Sequence, residues 1–245
     1  MASKETSAQE AARAAQDKAA RVETPSIHAR LNDFLRRNRT AVISVFAAAL
    51  VAVVAAAAWT ILDERTATRS AQALETVEVS LREWFEMEPG PAAVEKSKEI
   101  LAALDSIRSK YGKRYAAQKA VVLAGRIQAR NGDWAAAEKL FRQASELNPA
   151  SLLAGYALQE AAVAAEERRD TQAAIELWTK VIETAGSAVG IPHAYFTLGT
   201  LYEETKQYDQ AKVQYEKLTA AYPDNDWTKL ARNRIILLKS QGLLP

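Results

Sequence analysis

The chain has 245 residues, 49% hydrophobic and 25% charged, which suits one or two folded domains and excludes wholesale disorder. Lys and Arg number 32 against 30 Asp and Glu, and a net charge of +2 argues against a dedicated nucleic-acid binder. The absence of cysteine excludes disulfides, thiolate metal sites and thiol catalysis, and two histidines, His28 and His193, leave little for any other metal site.

Residues 1–40 read as a mostly flexible tail with eight cations, five anions and only alanine to bury between Ala8 and Ala20. Residues 41–62, AVISVFAAALVAVVAAAAWTIL, follow as 22 residues without a charge. At about 1.5 Å per residue such a helix covers roughly 33 Å, enough for a hydrocarbon core of about 30 Å. Arg36, Arg37 and Arg39 precede it and Asp63 and Glu64 follow, so the positive-inside bias predicts a cytoplasmic N-terminus and an outer C-terminal domain. A cleaved signal peptide is the competing reading, but both the leader and the apolar core exceed that pattern. The expected place is therefore the cytoplasmic (inner) membrane, with the lipid bilayer as the first partner.

Beyond the span apolar residues recur at three and four, predicting helices throughout and no strand. Leu74, Val77, Leu81 and Trp84/Phe85 form one stripe, and Val94, Leu101, Leu104, Ile107 and Tyr111 another. Glu88-Pro89-Gly90-Pro91 breaks the chain between them, with Pro91 suited to a first helical turn. Nothing breaks it from Leu62 to Arg82, so the span is expected to run on as one long helix.

From about Gln118 the sequence repeats itself. Gly125, Ala137, Phe141 and Pro149 return 74 residues later as Gly199, Ala211, Tyr215 and Pro223. Midway, Ala162, Ala174, Trp178 and Gly186 hold the equivalent places, so the period is 37. A small residue on each helix lets its partner approach, and the aromatic fills the gap beside it. Asn131-Gly132-Asp133, Arg169-Asp170-Thr171 and Lys206-Gln207-Tyr208 are the predicted turns, and Asn225-Asp226 starts a last helix.

This pattern resembles the tetratricopeptide repeat, with W-x2-L-G-x2-Y, then A-x3-F, then P. The last copy fits best, with Tyr195, Leu198, Gly199, Tyr202, Ala211, Tyr215 and Pro223. The resemblance implies an all-α solenoid of antiparallel helix pairs behind an N-terminal transmembrane helix. The expected division is a tail (1–40), a span (41–62), a diverged helical pair (63–117), three repeats (118–225) and a capping helix (226–245).

The resemblance also implies that ligand-facing residues lie on the first helix of each pair. Carried over by position, these are Lys119, Val122, Arg126 and Arg130, then Tyr156, Gln159, Val163, Glu166 and Glu167, then His193, Phe196, Thr200, Glu203 and Glu204. A basic end facing an acidic end would seat an extended or helical peptide. No phosphate-cradling loop or HExxH is present, and Ser187 is misplaced for a nucleophile elbow, so neither an enzyme nor a cofactor is expected. The layout of tail, anchor and outer repeat domain is similar to the ancillary subunit family of the bacterial SecYEG translocon. That likeness implies protein partners among translocon subunits or periplasmic chaperones. The alternative is a scaffold or structural subunit of a larger envelope complex, with cell-wall, motor or secretion machinery as its setting.

Overall fold

The computed structural model describes residues 27–184 and 190–245, so most of the tail expected at 1–40 and Gly186 of the repeat pattern lie outside the described residues. The described residues form ten helices. They are α1 (Ile27–Arg37), α2 (Arg39–Glu86), α3 (Pro91–Tyr111), α4 (Tyr115–Arg130), α5 (Trp134–Leu147), α6 (Leu152–Glu167), α7 (Thr171–Thr184), α8 (Ile191–Glu204), α9 (Tyr208–Ala221) and α10 (Asp226–Ser240). The chain divides into two units at Asp63/Glu64.

In the first unit, the apolar residues of α2 face outward, with Phe46, Leu50, Val51, Val54 and Trp59 all exposed. This is the one helix among the described residues long and apolar enough to cross a membrane, and its apolar window is 0% buried.

The second unit opens with the rest of α2, whose Leu74, Val77, Leu81 and Trp84 are buried. They pack on Ile100, Leu104, Ile107 and Tyr111 of α3 and on Ala117, Ala120 and Ile127 of α4. The expected α3 stripe is rotated slightly: Val94 is 54% exposed and Ile100, absent from that stripe, is buried. Pro91 starts α3, and the Trp84 indole N–H donates to the Ala93 carbonyl at 2.8 Å, closing the Pro-Gly break from the inside.

Three helix pairs follow, α4/α5, α6/α7 and α8/α9, each packed on the next, and α10 lies against both α9 and α8. The repeat of 37 sets their contacts. On the second helices Ala137/Phe141/Ala144, Ala174/Trp178/Val181 and Ala211/Tyr215/Leu218 are all buried, and on the first helices Ala120, Ala157 and Ala194 are each 0% exposed. A Cβ on Gly125 would stand 2.7 Å from the Phe141 ring, and one on Gly199 would overlap the Tyr215 ring. Here glycine is required by close approach rather than by backbone freedom.

The turns inside the pairs are alike. Gly132, Arg169 and Lys206, each 37 residues after the last, have φ of 79°, 59° and 59°. The next residue's N–H bonds five residues back, Asp133 to Gln128, Asp170 to Ala165 and Gln207 to Tyr202, which satisfies carbonyls at the helix end. Asp133 and Asp170 then cap the following helix through Ala136 and Ala173. Gln207 makes no such side-chain bond.

Candidate partner-binding face

The first helices α4, α6 and α8 carry all the positions predicted to meet a ligand. The structure divides these positions into three groups.

The basic group stands against α2. Lys119 Nζ lies 2.5 Å from the Glu78 carboxylate, and that bond holds its ammonium pKa above the ordinary value. The Arg126 guanidinium sits 5.6 Å over Phe85. Arg130 stacks on Trp84 at 4.6 Å and on Phe85 at 4.9 Å, and it donates to the Met87 carbonyl at 3.3 Å. A cation beside the last carbonyls of a helix complements its dipole. Arg126 and Arg130 remain exposed at their outer edges. Val122 does not belong here: at 3% exposure it is part of the core shared by α4 to α8, and the prediction that it meets a ligand is corrected.

The middle group, on α6, is the most open. Tyr156 is 41% and Val163 38% exposed. Burial and the neighbouring Glu160 raise the Tyr156 phenol, while Arg126 opposes them, so the basic group reaches this ring. Gln159 is half-buried, its amide against the backbone of Gly190. Glu166 accepts from the Trp178 indole N–H at 2.6 Å. Burial raises its carboxyl above the usual range, the Trp178 bond opposes this, and Glu204 and Glu167 add to it. Glu166, Glu167, Arg169, Thr171, Leu201 and Glu204 line a cleft of about 480 Å³ between the second and third pairs.

The third group is tied to α10. His193 packs between Trp178 at 5.4 Å and Trp227 at 4.6 Å, with Nε2 3.2 Å from the Thr197 hydroxyl, and burial lowers its pKa. Phe196 lies 5.2 Å from Trp227 and 5.7 Å from Tyr215. The Thr200 hydroxyl turns back to the Thr197 carbonyl at 2.8 Å. Glu203 has a side chain only 8% exposed. It accepts from the Tyr215 hydroxyl at 2.5 Å and takes two guanidinium N–H bonds from Arg234 of α10. His193 and Phe196, both half-buried, therefore pack against α10, and the nearly closed Glu203 carboxylate is tied to it. Glu204, next in sequence, stays exposed.

Sequence reasoning missed Glu78, Trp84, Phe85, Trp227 and Arg234. The Trp84-Phe85 pair at the end of an apolar stripe was a signal for aromatic stacking, whereas the Arg234 clamp bridges 31 residues and left none.

The open surface is thus narrower than the predicted one. It carries Arg126 and Arg130 at one end, Tyr156 and Val163 in the middle, and Glu167 and Glu204 at the other.

Comparison with known proteins agrees with this architecture. Residues 32–155 match the tetratricopeptide repeat-like domain family and residues 192–225 match the tetratricopeptide repeat. The second match falls on the copy whose motif is most complete, and the first extends over residues 63–117, where no motif is readable. No curated protein matches the sequence. Among solved structures, a tetratricopeptide repeat protein from Parabacteroides merdae is 16% identical, with a TM-score of 0.52, over 70% of this chain and 61% of that one. TPR-like repeats named for a kinesin light chain of Podosopora anserina are 13% identical, with a TM-score of 0.50, over 71% of this chain and 87% of theirs. These likenesses concern the fold. With just over half of its length matched by one family, the chain belongs to the tetratricopeptide repeat-like domain family.

Proposed function

We propose that this protein is a membrane-anchored scaffold, not an enzyme, whose open repeat face holds a segment of a partner protein outside the cytoplasm. The observation that carries the reading is the polarity of that face. Exposed guanidinium groups of Arg126 and Arg130 stand at one end and exposed carboxylates of Glu167 and Glu204 at the other. The apolar surface of Tyr156 and Val163 lies between them. A peptide with an acidic end, an apolar centre and a basic end complements it, and the charges set its direction. Anchoring rests on the uncharged segment 41–62 of a helix whose apolar window is 0% buried among the described residues. The arginines before that segment put the N-terminus in the cytoplasm of a single-pass inner-membrane protein. In that setting an accessory role in protein export is the best fit, with translocon subunits or export chaperones as partners.

One observation favours a second reading. Leu230, Ile236 and Leu237 of α10 are 46%, 65% and 41% exposed. Apolar side chains on a terminal helix suit permanent contact within a larger envelope assembly. Affinity purification of the tagged full-length chain from gently solubilised membranes separates the two. Translocon subunits or export chaperones in less than fixed ratio support the accessory role. A constant set of envelope proteins at fixed stoichiometry replaces it with the structural one.

A further inference from the structure

Helix α1 is the most amphipathic surface outside the repeat array. Its sequence, IHARLNDFLRR, spaces Ile27, Leu31, Phe34 and Leu35 at i, i+4, i+7 and i+8. At about 100° per residue they share one stripe roughly 100° wide. Among the described residues no protein covers that stripe: Ile27 is 83%, Leu31 53%, Phe34 58% and Leu35 40% exposed. Arg30 and Arg37 lie along one edge of the stripe, Asn32 along the other, and Asp33 and Arg36 lie behind it. Arg39 follows, and Asp33 is the single anion of the helix. One residue, Asn38, separates α1 from α2, and its side-chain amide donates to the Phe34 carbonyl at 3.1 Å. The apolar segment of the same unit begins three residues later, at Ala41.

We infer that α1 is an interfacial helix, lying on the anionic lipid surface at which the apolar part of α2 enters the bilayer. Ile27, Leu31, Phe34 and Leu35 reach the acyl boundary, while Arg30 and Arg37 extend their guanidinium groups to headgroup phosphates. The inference rests on the anchoring reading, since the span keeps α1 within a few residues of the headgroups. The flanking cations select an anionic surface over a neutral one. A second α1 docked on this one would need a complementary acidic rim, and α1 offers only Asp33.

The absence of native cysteine allows single labelled cysteines to be read one at a time in the full-length chain. Ile27→Cys, Leu31→Cys and Phe34→Cys sample the stripe, and Asp33→Cys and Arg36→Cys the opposite side. Each carries an environment-sensitive fluorophore, in vesicles of chain-brominated phosphatidylcholine with or without phosphatidylglycerol. The expected result is quenching at 27, 31 and 34 but not at 33 and 36, with phosphatidylglycerol present. Arg30→Glu with Arg37→Glu should weaken that quenching on the order of tenfold. An aqueous environment at every position, or protection of the stripe in detergent together with cysteine cross-links between copies, overturns the inference. Alkaline carbonate extraction of the same vesicles keeps the two claims apart. If the protein is extracted, the anchoring reading falls and this inference with it. If it is retained without the periodic quenching, the interfacial helix alone is wrong.

Discussion

The three helix pairs solve one packing problem in two ways. In the first pair the buried ring is Phe141, and the residue one turn beyond the small Gly125 is Ala129, so the contact is wholly apolar. In the second and third pairs the rings are Trp178 and Tyr215, and Ala129 is replaced by Glu166 and Glu203. Each ring then donates its hydrogen to that carboxylate, at 2.6 and 2.5 Å. A polar ring therefore enters this core only together with its acceptor, because an unpaired buried donor costs more than the bond returns. Among the described residues no buried side-chain nitrogen or oxygen lacks a partner. The two acidic copies also differ from each other. Glu203 receives the Arg234 guanidinium, whereas Glu166 has Glu167 and Glu204 as its charged neighbours.

That difference ranks the expected effects of substitution. Glu203→Lys sets a cation against Arg234 in a nearly closed site and should cost roughly 3–5 kcal/mol, detaching α10. Urea unfolding of the full chain measures it, and a loss below 1 kcal/mol would deny Glu203 its clamping role. Gly199→Ala drives a methyl into the fully buried Tyr215 ring and should cost about 1–3 kcal/mol. The equivalent position in the second copy, Ala162, already holds a methyl, so Ala162→Gly should lose about 1 kcal/mol through helix propensity instead. If both substitutions have the same effect, the close approach at Gly199 is not limiting.

Glu166 gives a pH test of opposite sign to the usual carboxylate. Its folded pKa lies above the unfolded one, so its contribution is complete below the ordinary glutamate pKa of about 4.5 and is lost as pH rises through the raised value. Glu166→Gln keeps an acceptor for Trp178 and removes the titration. Relative to that variant, the wild type should therefore lose stability between acidic and neutral pH. A difference that stays constant across that window contradicts the environment described for Glu166. The smallest expected effect is at the turns. Arg169→Gly and Lys206→Gly should each stabilise the array by roughly 0.5–1 kcal/mol, because the first copy places Gly132 at the same left-handed position. A thermal shift upward for both checks this.

The helical array was legible because its packing rules are local and recur. A small residue, an aromatic and a turn come back every 37 residues, and the small residues and the aromatics are buried in all three copies. The break at Pro89-Gly90-Pro91 and the uninterrupted run of α2 could likewise be read from Pro and Gly alone. The candidate face was legible only as a set of positions. Whether a position stays open depends on what packs across it from distant sequence. Trp84 and Phe85 cover part of Arg126 and Arg130, and Trp227 and Arg234 take up His193, Phe196 and Glu203. Val122 is hidden by the stacking of α4 on α6, which helix periodicity does not report.

The measurement that bears most directly on the scaffold reading compares partner recovery by the wild type and one charge-reversed chain. Glu167→Lys with Glu204→Lys changes the open acidic end while leaving the Tyr215–Glu203–Arg234 contact intact. Purified in parallel with the wild type from the same membranes, this double variant should unfold at the wild-type denaturant midpoint and lose its partner. Recovery of the same partner in the same amount, from a chain of unchanged stability, would contradict the claim that the polarised face of α4, α6 and α8 is the binding surface.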